Sequence, residues 1–168
     1  MGIKRIDFGK DVEVSRGGKV KALQPSSESA NSDVVKRGYL AEVLEVKYKV
    51  AKSGNIGIGF VWKVTEEDAV DIDGTSFTGK KVWDDIWFGE KSLKMTKLKL
   101  DGLGVDVDNL IIESEEDVQE LAEGLRDDVV GVEFAIVTDT EEDNYGDGTY
   151  EDGTQKYRTR LAFVNSVS

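Results

Sequence analysis

Cysteine and histidine are both absent from the 168 residues, and proline occurs once. The chain therefore has no disulfide, no thiolate nucleophile, no imidazole base and none of the ordinary zinc ligand sets. Hydrolysis by carboxylates around a hard cation survives that filter. With most catalytic side-chain chemistry removed, a non-enzymatic protein without cofactor or metal is the expectation. No stretch of about 18 apolar residues is present to cross a bilayer, and Met1-Gly2-Ile3-Lys4-Arg5-Ile6-Asp7 lacks the apolar run of a signal peptide. A cytoplasmic location follows as an expectation.

What is abundant is glycine and charge: 18 glycines, 39% apolar residues and 33% charged residues describe an ordered, turn-rich globular chain. The formal charge of −12 argues at first against a nucleic-acid partner, because phosphates are neutralised by Lys and Arg. Its distribution reverses that impression. Residues 1–35 hold six basic and five acidic groups, residues 36–100 hold twelve and ten, and residues 156–168 hold three and none. Residues 101–155 carry nineteen acids against Arg126 alone. The acidity is segregated, and the remainder is mildly basic.

Periodicity divides the chain into a segment 1–35, read as an N-terminal extension, and a main domain 36–168. In the extension, Gly17-Gly18 lies between two β-favouring runs and predicts a short hairpin within 12–23. The polar stretch 25–33 then reads as a linker. Leu44, Val46, Tyr48 and Val50 alternate with Glu45, Lys47 and Lys49, the period of a half-buried strand over 39–50. After the turn Lys52-Ser53-Gly54-Asn55, a second strand over 56–65 places Phe60 and Trp62 on the parity of Ile56, Ile58 and Val64, hence in the core. Its alternate positions include Gly57 and Gly59, which permit close approach by a backbone or ligand. A third strand runs to Phe88. Leucines from Leu93 to Leu103 predict a helix ending near Gly102, and Ser114-Glu115-Glu116-Asp117 resembles a capping box opening a helix over 114–126. Strands over 129–138 and 156–164 follow, joined by an acidic loop 139–155. The order of three strands, a helical insertion between strands 3 and 4, and two more strands predicts a mainly β, five-stranded OB-type Greek-key barrel.

The same residues carry a resemblance. Gly38-Tyr39, Lys52-Ser53-Gly54, Gly79-Lys80, Trp83-Asp84-Asp85-Ile86, Leu103-Gly104, Gly131 and Tyr157-Arg158 follow one another as in phage-encoded OB-fold single-stranded DNA-binding proteins. The resemblance spans about two thirds of the chain. It implies single-stranded DNA as partner, no membrane, and a place in DNA replication or recombination in the host cytoplasm. The N-terminal segment, the helix at 114–126 and the long acidic loop have no counterpart in it.

Lys81, Trp83 and Trp87 share one strand parity, and bases stack on exposed rings while lysines meet phosphates. Lys47, Lys49, Lys52, Lys63, Arg158 and Arg160 lie opposite the apolar parity of their strands or in the first turn, and complete an expected basic groove over four strands. The single-strand reading also expects the acidic loop to meet replication or recombination proteins. Two other readings compete. In one, the acidic segment is itself the working surface, an interaction module or DNA mimic that imitates phosphate charge. In the other, Asp84, Asp85 and Asp71 or Asp73 form a nuclease metal site. Adjacent strand residues point to opposite faces, so Asp84 and Asp85 read instead as surface acids.

Overall fold

The computed structural model describes residues 5–13, 34–70, 74, 76–142 and 157–166, of which 34–37, 140–142, 157–160, 163 and 166 are described by backbone alone. Residues 14–23 of the expected hairpin, the linker 25–33 and residues 143–155 of the acidic loop lie outside the described residues. The elements are β1 (Ile6–Asp7), β2 (Val34–Val50), β3 (Ile56–Val64), β4 (Lys81–Trp87), α1 (Leu93–Gly102), β5 (Ile111–Ile112), α2 (Glu115–Val129), β6 (Glu133–Glu142) and β7 (Tyr157–Ser166). Five strands form one antiparallel sheet in the order β4-β3-β2-β6-β7. It curls into a nearly closed barrel, as expected of an OB-type fold.

β2 organises this curl. At 17 residues and about 3.3 Å per residue it is too long to serve one flat pairing. Its N-terminal half pairs with β6 and its C-terminal half with β3. A bulge between Val43 and Glu45 bends it where the partners change. The bulge also corrects the alternation read from sequence. Tyr39, Ala41 and Val43 face inward, Leu44 is taken up by the irregularity, and Val46 resumes the inward set. Val50, expected in the core, is 53% exposed.

The core is aromatic. Trp62 is 1% exposed, stacks on Phe60 at 6.5 Å and meets Phe134 edge-on at 5.8 Å. Residues 5–13 belong to the same core. Ile6 and Asp7 pair with Ile112 and Ile111, and the fully buried Phe8 stands edge-on to Phe88 at 6.1 Å. The Lys97 ammonium on α1, itself buried, donates to the carbonyl oxygens of Phe8 at 2.7 Å and Val12 at 2.6 Å. The start of the chain is thereby tied to α1 by charge-assisted hydrogen bonds.

α1 occupies the seam between β4 and β7. Its last residue, Gly102, lies so close to β7 that any Cβ there would overlap the Val164 carbonyl oxygen. α2 opens on the expected cap: the Asp117 carboxylate accepts from the backbone N–H of Glu113 at 2.7 Å and of Ser114 at 3.3 Å. It runs on to Val129 because Val118, Ala122, Leu125 and Val129 continue one buried stripe. β6 consequently starts at Glu133, four residues later than the sequence pattern places it, and absorbs Asp139–Glu142 from the expected loop.

Truncating either large core ring tests this packing. Phe8→Ala and Trp62→Ala are each expected to cost about 3–5 kcal/mol, measured as a lowered urea midpoint. An unchanged midpoint for Phe8→Ala would show that residues 5–13 do not contribute to the folded core.

Candidate nucleic-acid interface

The turn after β2 fixes which side chains share the outer face of the barrel. With Val50 opposite Ile56, Lys49 falls opposite Gly57 and Lys47 opposite Gly59. On the other side of β3, Gly57 faces Trp87, Gly59 faces Asp85, Val61 faces Trp83 and Lys63 faces Lys81. These residues form cross-strand rows on the face away from the core, at about 4.8 Å per strand. Lys52 stands exposed in the turn at the end of β2.

Trp83 is 66% exposed, the most solvent-facing large apolar side chain among the described residues. It lies beside Val61, between the rows of Lys81 and Asp85. Trp87 behaves differently. A Cβ at Gly57 would fall 2.5 Å from the Trp87 ring and 2.5 Å from the Ile86 carbonyl oxygen, so the ring lies against bare backbone. The Lys49 Nζ sits 5.6 Å from the same ring's centroid, within cation–π range. It also donates to both Asp85 oxygens, at 3.1 and 3.0 Å. Gly59 forms the floor under this pair, with Asp85 Oδ1 and Lys49 Cδ at 3.0 and 3.1 Å from where its Cβ would be. The two glycines are thus filled from within the protein rather than left open for a ligand. The sequence carried a signal for this, because the short turn dictates the register.

Lys63 and Lys81 stand directly opposite one another, an arrangement that is unfavourable between like charges. Glu42 of β2 stands opposite Lys63 on its other side. The platform therefore combines an exposed indole, a half-covered indole and lysines on three adjacent strands, which suits an anionic, stacking ligand.

Arg158 and Arg160 do not join it. In β7 they stand in register opposite Glu141 and Asp139 of β6, which in turn pair with Val34 and Lys36 at the far end of β2 from Lys47 and Lys49. Of the nine residues expected to form one groove, the structure groups Lys47, Lys49, Lys63, Lys81, Trp83 and Trp87 on one face, with Lys52 at its edge. The register places the two arginines opposite Glu141 and Asp139, at the other end of β2 from Lys47 and Lys49.

Asp84 and Asp85 do point to opposite faces, but Asp84 is not a surface acid. Its Oδ1 accepts from the Lys99 Nζ on α1 at 2.8 Å, with both side chains about nine-tenths buried. Each aspartate of the pair is thus held by its own lysine, and no three acids converge on a metal-sized site among the described residues. α2 carries six exposed acids, Glu115, Glu116, Glu120, Glu123, Asp127 and Asp128, with Arg126 as its one base. No helix among the described residues is long and apolar enough to cross a membrane.

No family model matches the chain, and no curated protein matches it.

Burial pushes the Asp84 carboxyl above its ordinary value of 3.8, against the opposing pull of the Lys99 ammonium. In the window above 3.8 the folded chain therefore holds a proton that the unfolded chain releases. The contribution of this group to stability is full below 3.8 and is lost as pH rises through the raised value. Wild-type stability measured relative to Asp84→Asn in urea should fall with rising pH across that window and level off above it. A difference that stays flat or rises contradicts the burial.

Proposed function

We propose that the chain is a sequence-tolerant single-stranded DNA-binding protein that works without catalysis or cofactor. The observation that carries this reading is Trp83, an indole 66% exposed on a barrel strand and flanked by the facing lysines Lys63 and Lys81. No folding requirement accounts for that combination. A base stacked on an indole gains about 1–3 kcal/mol whatever its identity, and the lysines supply the sequence-independent phosphate term. The outer face of the second and third strands of an OB-type barrel, β3 and β4 here, is the usual oligonucleotide platform. The resemblance to phage-encoded OB-fold single-stranded DNA-binding proteins supports a role in phage DNA replication or recombination, within the host cytoplasm.

The acid-rich α2 favours a second reading. Its exposed carboxylates, together with the acid-rich residues 143–156, offer a surface for a basic protein partner. Under that reading oligonucleotides are not bound, and a basic protein takes their place.

Binding of oligo(dT) with and without magnesium separates these possibilities. The platform model expects binding without cleavage. About four lysine contacts at 0.7 each give a slope near −3 for log K against log salt. Trp83→Ala should lose about 1–3 kcal/mol of binding with an unchanged melting temperature. A salt slope near zero, or unfolding of the Trp83 variant, removes the basis for the model.

A further inference from the structure

Arg126 is the only basic residue among residues 101–155, a stretch with nineteen acids. α2 could have displayed it anywhere on its acidic surface. Instead it lines a cleft of about 280 Å³ between α2 and the C-terminal half of β2, shared with Lys47, Tyr48, Gln119 and Glu123. The cleft exists because β6 pairs only with the first half of β2, so beyond Glu42 that edge of β2 is covered by α2 rather than by a strand. The Tyr48 hydroxyl bonds Glu115 and fixes the helix against the strand. Neither Lys47 nor Arg126 has an ion-pair or hydrogen-bond partner among the described residues. Two unpaired cations beside one carboxylate make this the basic spot on an otherwise acidic helix.

Lys47 belongs to both surfaces. It lies in the outward row with Gly59 and Asp85 on the platform and also lines the cleft. A path from β4 over β3 to β2 follows the Asp85–Gly59–Lys47 row and ends at Lys47, which borders the cleft. Guanidinium is the group best shaped to grip a phosphate there in two hydrogen bonds. We infer that the α2–β2 cleft is a phosphate subsite, in which Arg126 and Lys47 hold the nucleic-acid backbone as it leaves the barrel face. This rests on the single-strand reading of the platform and extends it to a helix with no counterpart in the phage family resembled. A competing explanation is that Arg126, in the last turn of α2, merely balances the helix dipole. That role would affect stability and be indifferent to DNA length.

Length dependence decides between them. OB folds occupy about 4–16 nucleotides, so oligo(dT) of about 4 and about 12 nucleotides would probe the platform alone and the platform plus cleft. Arg126→Gln should weaken binding of the longer oligonucleotide about three- to fivefold and lower its salt slope by about 0.7, with the shorter one unaffected. Arg126→Lys should restore most of the slope, and Glu123→Gln should tighten the longer oligonucleotide only. Equal effects of Arg126→Gln on both lengths, or no effect on either, would overturn the subsite while leaving the platform standing. Failure of the wild-type protein to bind either length would overturn the platform and the subsite together.

Discussion

Closure of the barrel depends on α1, and α1 is held in the seam by two lysines and a threonine that face into the protein. Lys99 reaches Asp84 on β4, Lys97 reaches the carbonyls of Phe8 and Val12, and the Thr96 hydroxyl donates to the Trp87 carbonyl at 2.6 Å. Gly102 brings the far end of the helix against β7. An ammonium is expensive to bury unless its donors are satisfied, so these contacts specify the position of α1 more sharply than apolar packing alone. The N-terminal segment, α1, β4 and β7 are consequently locked to one another. β4 carries both platform tryptophans, so the geometry of the outer face inherits the position of the helix behind it.

The outer face has two kinds of surface. Around Gly57 and Gly59 it is self-satisfied: Trp87 lies on backbone, Lys49 covers part of the ring, and Asp85 neutralises Lys49. Around Trp83 an indole stands in solvent with Glu45 at the far end of its row, and Lys63 and Lys81 face each other with Glu42 beside Lys63. Folding accounts for the first arrangement by itself. The second is not self-satisfied, and this contrast within one sheet is what directs the proposed function to the Trp83 end.

Charge segregation acts on a larger scale. Lysines on β2, β3 and β4 face outward, while α2, packed beside the same barrel, carries six exposed acids and one base. An acidic flank disfavours anions near it. Arg126 marks the one place where that flank changes sign next to the platform. In β6 and β7 the backbone register sets Arg158 and Arg160 opposite Glu141 and Asp139.

Local pattern made the strands after the first turn, both helices, the capping box and the interior position of Trp62 legible in the sequence, because these rest on periodicity and on contacts a few residues apart. The turn at Lys52–Asn55 even determines the pairing of Lys47 and Lys49 with the glycines of β3. Everything that depended on distant partners escaped it. The bulge at Leu44 interrupts an alternation that looks continuous, since nothing local announces where β2 changes partners. Lys97 and Lys99 look like solvent-facing helix lysines until β4 and the N-terminal segment close over them. Arg158 and Arg160 share the parity of groove residues, yet β6 places acids opposite them. The residue types and their alternation determined which side chains could face outward together. Only the register between strands far apart in the chain decided which of those charges stand opposite a charge of the other sign and which stand opposite one of their own.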